Sequence, residues 1–123
     1  MRATRSEVGA WGEDIAAKYL REHGFTIRER NWRHGHGELD IVAERDSVII
    51  IVEVRTRRSD AYGTPEESVR AAKRAKLIVT AQAYLDARGL TDAQWQIDFV
   101  AIDLDAHNAV RRIDHIACAI SQP

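Results

Sequence analysis

The stretch 49-IIIVEVRTRR-58 decides how this chain folds. Four aliphatic residues in a row, followed by Val54, read as a strand buried inside a sheet. Glu53 and Arg55 interrupt it. An ionised group taken out of water costs on the order of several kcal/mol unless it finds a partner or a metal. Side chains two apart on a strand share a face, so Glu53 and Arg55 point the same way.

The preceding segment, 38-ELDIVAER-45, alternates, with Leu39, Ile41 and Ala43 on one face and Glu38, Asp40 and Val42 on the other. A turn at 45-RDS-47 makes the two segments a hairpin, and pairing centred near Asp46 sets Asp40 almost opposite Glu53. Facing carboxylates repel. A divalent cation between them removes the repulsion, and hard oxygen ligands select Mg2+ or Mn2+ rather than Zn2+. Such a centre commonly runs phosphodiester cleavage, and Arg55 stands where a cation would stabilise the phosphate. Taken singly, Glu53 and Arg55 also read as an ion pair on a half-exposed strand, and Asp40 as a solvated residue near a turn. The three together favour a site.

Around this hairpin, 6-SEVGAWGEDIAAKYLREHG-24 carries Val8, Trp11, Ile15, Tyr19 and Leu20 at helical spacing, with Gly24 as a stop. A short strand, 25-FTIRERNWR-33, ends in the glycine turn 34-HGHG-37. A second helix starts at Thr64 as N-cap, with Pro65 at the first helical position and Glu67 three residues on. Its apolar stripe is Val69, Leu77, Ala81, Tyr84 and Leu85, and Gly89 ends it. A fourth strand is expected in 95-WQIDFVAID-103 and a fifth in 110-VRRIDHIACAI-120. The order αβββαβ predicts an α/β sandwich with a mostly buried central sheet. No repeat or linker interrupts residues 1–123, so a single domain is expected.

The chain has 123 residues, a net charge of −1 and one cysteine, Cys118, so no internal disulfide holds it. With no apolar leader and no run of membrane-spanning length, a soluble, cytoplasmic protein is expected. The charge is unevenly spread. From Glu53 to Lys76 there are seven basic and four acidic residues, and from Asp86 to Asp105 one Arg stands against five Asp. Arg57 and Arg58 follow the strand closely enough to track a phosphate backbone, and Arg70, Lys73, Arg74 and Lys76 add a basic helix edge. A solvated helix face accounts for that edge equally well. Trp32 reads as a core or rim residue more readily than as a base-stacking one. His34 and His36 lack further ligands at zinc spacing, Asp98 suits a strand edge, and Cys118 reads as packing.

Asp40 followed by Glu53-Val54-Arg55 resembles the PD-(D/E)XK nuclease signature. The surrounding segments 12-GEDIAAKYLREHGF-25, 31-NWRHGHGELDIVA-43, 52-VEVRTR-57, 63-GTPEESV-69 and 98-DFVAI-102 are similar to the YraN family of restriction-endonuclease-like bacterial proteins, and 115-HIACAI-120 matches its final strand more loosely. That resemblance implies a restriction-endonuclease-like sandwich with a mixed sheet flanked by helices. The related Holliday-junction resolvases imply a further carboxylate from the first helix, here Glu13, and the main-chain carbonyl of Val54 as an extra metal ligand. The implied protein is a Mg2+- or Mn2+-dependent, structure-selective nuclease with DNA rather than RNA as the expected substrate, and because so small a domain covers one side of a duplex at most, homodimerisation is expected on branched or double-stranded substrates. One departure stands out: the signature lysine is replaced by Arg55, which cannot act as a base. Because 15 of the 18 basic residues are Arg, the exchange also fits a general drift. The competing expectation is a nucleic-acid-binding module that keeps the fold without cleavage, and a third is a structural adaptor.

Overall fold

The computed structural model describes residues 5–58 and 71–120. They form helix α1 (Arg5–Glu22), strands β1 (Thr26–His34), β2 (Gly37–Arg45) and β3 (Val48–Arg58), helix α2 (Ala71–Ala87), and strands β4 (Gln94–Leu104) and β5 (Val110–Ile120). The expected N-cap box at Thr64, Pro65 and Glu67, and Val69 of the stripe, lie outside the described residues.

Both helices stop where glycine takes a left-handed backbone. Gly24 has φ 87° and Gly89 φ 66°. In each case two carbonyls of the last turn are satisfied: Phe25 N–H donates to Leu20 O (2.9 Å) and Gly24 N–H to Arg21 O (3.2 Å), and Leu90 and Gly89 repeat this on Leu85 and Asp86. Two of the three hairpins, β1–β2 and β2–β3, have two-residue connections. Asp46 and Ser47 both have positive φ and close β2 onto β3 in the primed-turn geometry.

The five strands lie in chain order, antiparallel throughout except for β3 beside β4, whose parallel pairing needs the α2 crossover. This is a mixed α/β sheet with one helix on each face. Against α1 pack Ile41, Ala43, Ile50, Val52, Val54, Val100 and Ile102. Against α2 pack Leu39, Val42, Ile49, Ile51, Ile97 and Phe99. The fifth strand is confirmed. The buried Leu77, Ala81, Tyr84 and Leu85 are the expected stripe of α2.

Two expectations fail locally. Trp11 is exposed, while Leu20 is buried and Val8, Ile15 and Tyr19 pack partly buried on the core as expected, with Gly12, Ala16 and Ala17 completing the buried face of α1. Leu39 does not share a face with Ile41. Arg30 pairs with Ile41 and Trp32 with Leu39, but Asn31 between them has φ 55°. A left-handed residue turns the strand over. Arg30 therefore reaches Asp14 of α1 at 2.8 Å, while Trp32 meets Tyr84 of α2 edge-on at 5.3 Å. Leu39 follows its partner to the α2 side.

Candidate metal centre and phosphate cleft

The pairing of β2 with β3 holds from Arg45↔Val48 to Ile41↔Val52 and stops there. Beyond it, β2 stays with β1 as far as Gly37, and β3 stays with β4 as far as Arg58. The sheet therefore splits, and the split opens into a cleft of about 940 Å3 lined from both faces, by Glu13 of α1, Glu38 and Asp40 of β2, Glu53 and Arg55 of β3, and Lys73 of α2. The hairpin register expected from the sequence holds, so Asp40 and Glu53 flank the first unpaired step.

Each carboxylate has its own holder. Asp40 Oδ2 accepts the Val54 N–H at 2.9 Å, which bridges the split. Asp40 is pushed up to about 8, first by burial and then by the charge of Glu53, with Glu13 adding to it and the Val54 N–H opposing. Glu53 is 4% exposed, and its Oε1 takes the Arg55 Nη1 at 2.8 Å and the Lys73 ammonium at 3.3 Å. Glu13 is raised above the usual carboxylate range by burial, against the pull of Arg30, whose Nη2 lies 4.0 Å away. Turned so that its NH2 faces the carboxylates, the Asn31 amide donates to Glu13 Oε1 at 2.8 Å and Glu38 Oε1 at 3.1 Å.

Glu13, Glu38 and Asp40 each place one carboxylate oxygen within 4.8 Å of the others. Glu38 and Asn31 are site residues that the sequence reasoning did not single out. The signal was available, since both lie inside the matched segment 31-NWRHGHGELDIVA-43, but their meeting depends on the left-handed turn at Asn31. Of the basic residues, Arg57 lines the cleft beside Arg55, and Lys73 is inside it rather than on an outer edge. The side chain of Arg58, and all of Arg70, lie outside the described residues.

Asp98 belongs elsewhere. It is 1% exposed, on the α1 side of β4, and accepts from His115 Nε2 (2.7 Å), Gln96 Nε2 (2.8 Å) and the Cys118 N–H (2.9 Å). Burial raises its carboxyl, but these hydrogen bonds outweigh it and leave the group below its ordinary value. It braces the irregular end of β5, where Cys118 has φ 52° and is exposed rather than packed. His34 stacks on Trp32 at 5.7 Å. No helix among the described residues is long and apolar enough to cross a membrane.

Residues 12–117 match the model of the uncharacterised protein family UPF0102. A UPF0102 protein of Roseiflexus castenholzii is 41% identical over 99% of both chains, and one of Persephonella marina is 48% identical over 76% of this chain and 81% of its own. Among solved structures, Pyrococcus furiosus SfsA in complex with Ca2+ aligns over 89% of this chain and 63% of that one, at 14% identity and a TM-score of 0.36.

Proposed function

The chain belongs to the uncharacterised protein family UPF0102, and we propose that it is a divalent-metal-dependent phosphodiesterase of PD-(D/E)XK type, acting on nucleic acid and preferentially on DNA. The observation that carries this reading is the split sheet: carboxylates from α1 and β2 cluster at it, and Arg55 and Lys73 stand at Glu53 on the same cleft. Closely spaced oxygen donors, one of them pushed up to about 8 by burial and by the charge of Glu53, suit a hard divalent cation.

Glu13, Asp40 and Glu53 would hold Mg2+ or Mn2+, with Glu38 beside them. Within a strand the N–H and C=O of one residue point to the same side, so the Val54 carbonyl faces the split with its N–H and completes the set. A bound ion supplies Lewis acidity and a water of lowered pKa. The chain's own residues do the rest. Arg55 pairs with Glu53 and offers charge to the phosphate, and Arg57 extends the basic wall along the strand. The water would give up one proton to solvent as its oxygen adds to phosphorus, the bond to the sugar oxygen would break, and that oxygen would take a proton from solvent. Two copies of this small chain would be needed to reach both strands of a duplex.

A second reading is favoured by Arg55 itself. An always-charged guanidinium in the lysine slot fits a module that binds nucleic acid without cutting it. The experiment is cleavage of labelled branched, duplex and single-stranded DNA with Mn2+, comparing wild type with Asp40→Asn. Cleavage that disappears in the variant is expected. Metal-independent DNA binding, unchanged by Asp40→Asn and without cleavage of any substrate, would favour the binding module.

A further inference from the structure

We infer that Lys73 of α2 supplies the active-centre ammonium missing from the Glu53-Val54-Arg55 sequence, donating to a non-bridging oxygen of the scissile phosphate. The inference rests on the nuclease reading of the same cleft and deepens it.

Glu53 faces α2, as do Ile49 and Ile51 on the same strand, and the two cations reach it by different routes. Arg55 comes from its own strand, two residues on. Its side chain is 21% exposed, its Nη1 is committed to Glu53 at 2.8 Å, and its Nε is buried with no hydrogen-bond partner among the described residues. The guanidinium is thus sunk against the sheet. Lys73 comes from the opposite wall, and its side chain is 48% exposed while its Nζ lies 3.3 Å from the same Glu53 oxygen. An ammonium carries three N–H groups, so with one on Glu53 two remain for a phosphate.

The residue also has the mobility that the role needs. Metal bound at Glu53 would draw off that carboxylate's charge. Arg55 would stay where its strand puts it, whereas a four-carbon stem on a helix can swing the ammonium a few ångströms toward the phosphate. Lys73 acts here as a charge and a hydrogen-bond donor. In this arrangement the carboxylates come from α1, β2 and β3, the ammonium comes from α2, and they meet only because the sheet between them is split.

The test compares Mn2+-dependent DNA cleavage by wild type, Asp40→Asn, Lys73→Met, Lys73→Arg and the double variant Lys73→Met/Arg55→Lys, with Mn2+ affinity followed by electron paramagnetic resonance. Lys73→Met is expected to lower kcat roughly 100-fold, as the loss of one charged donor at a transition state does, while Mn2+ affinity stays at the wild-type value. Lys73→Arg keeps the charge and should recover part of the rate. The double variant returns a lysine to the strand and should recover at least about tenfold of what Lys73→Met lost, within the range of a single donor. Wild-type cleavage by Lys73→Met, with Asp40→Asn dead, overturns the role of Lys73 and leaves the nuclease standing. Loss of Mn2+ binding in Lys73→Met, without recovery in the double variant, also overturns it, because the residue would then act only by holding Glu53. A wild type that cleaves nothing overturns both.

Discussion

The Val54 N–H donates to Asp40 Oδ2 across 2.9 Å at the first step where β2 and β3 no longer pair. One carboxylate thus does what a ladder hydrogen bond does further up, and it does so under strain. Burial, and the charges of Glu53 and Glu13, all favour the protonated form. The proton-bound acid and a metal-bound carboxylate are alternative ways of relieving the same crowding.

The first prediction concerns pH. Asp40 moves from 3.8 to about 8 on folding, so between those values the folded chain holds a proton that the unfolded chain has released. Stability of the metal-free protein from this group is therefore full below the lower value, falls as pH rises, and levels off above the higher one. Asp40→Asn keeps an oxygen for the Val54 N–H and removes the titration. Thermal melting from pH 5 to 9 should show a flattened slope in the variant, and at pH 9 a Tm higher by about 5 °C or more. An unchanged slope would place the crowding elsewhere.

The second prediction is that divalent metal takes the proton's place. Mn2+ at about 100 times its Kd should stabilise the wild type by about 2.7 kcal/mol, and Asp40→Asn and Glu13→Gln should lose most of that gain. At pH 7 Asp40 must give up its proton to bind, so binding should release close to one proton and tighten as pH rises. Calorimetry in two buffers of different ionisation enthalpy reads the proton directly. Identical heats in both would count against Asp40 as a ligand.

What the sequence disclosed follows from how local each feature is. The Asp40–Glu53 juxtaposition was legible because a two-residue turn at Asp46 and Ser47 fixes the register of the whole hairpin. The stripe of α2 was legible from its 3.6-residue period. The face of Leu39 was not, because it depends on one left-handed residue on the neighbouring strand. Nor was the place of Lys73, since no periodicity says which strand residue a helix side chain meets across the sheet's split. Nor was the close approach of Gly12 to Thr56, which no spacing within the helix discloses.

Asn31 provides the third prediction. Its left-handed backbone suits glycine at least as well, so Asn31→Gly should fold with little change in Tm. The amide that stands between Glu13 and Glu38 is lost with it. Removing such an outer hydrogen bond typically costs about 10–100-fold in metal affinity, and Mn2+ titration should show a loss of that order. Unchanged affinity with intact folding would make Asn31 a backbone residue only.

The last prediction turns on a sign. In an open helix Gly→Ala stabilises by roughly 1 kcal/mol, and Gly9→Ala should behave so, because a Cβ there meets nothing within 4 Å. At Gly12 a Cβ would overlap the Thr56 hydroxyl and lie 2.9 Å from Thr56 Cβ. Rotating the hydroxyl away leaves the second clash, so α1 has to lift from β3. Overpacking of this kind costs about 1–3 kcal/mol, and Gly12→Ala should lower Tm where Gly9→Ala raises it. Glu13 is the next residue and lifts with the helix, so Mn2+ affinity should fall together with stability. Gly12→Ala/Thr56→Ala removes the hydroxyl overlap but keeps the Cβ contact, and should recover only part of each. A Gly12→Ala protein as stable as Gly9→Ala would mean that α1 does not sit this close to β3, and the position of Glu13 over the split would fall with it.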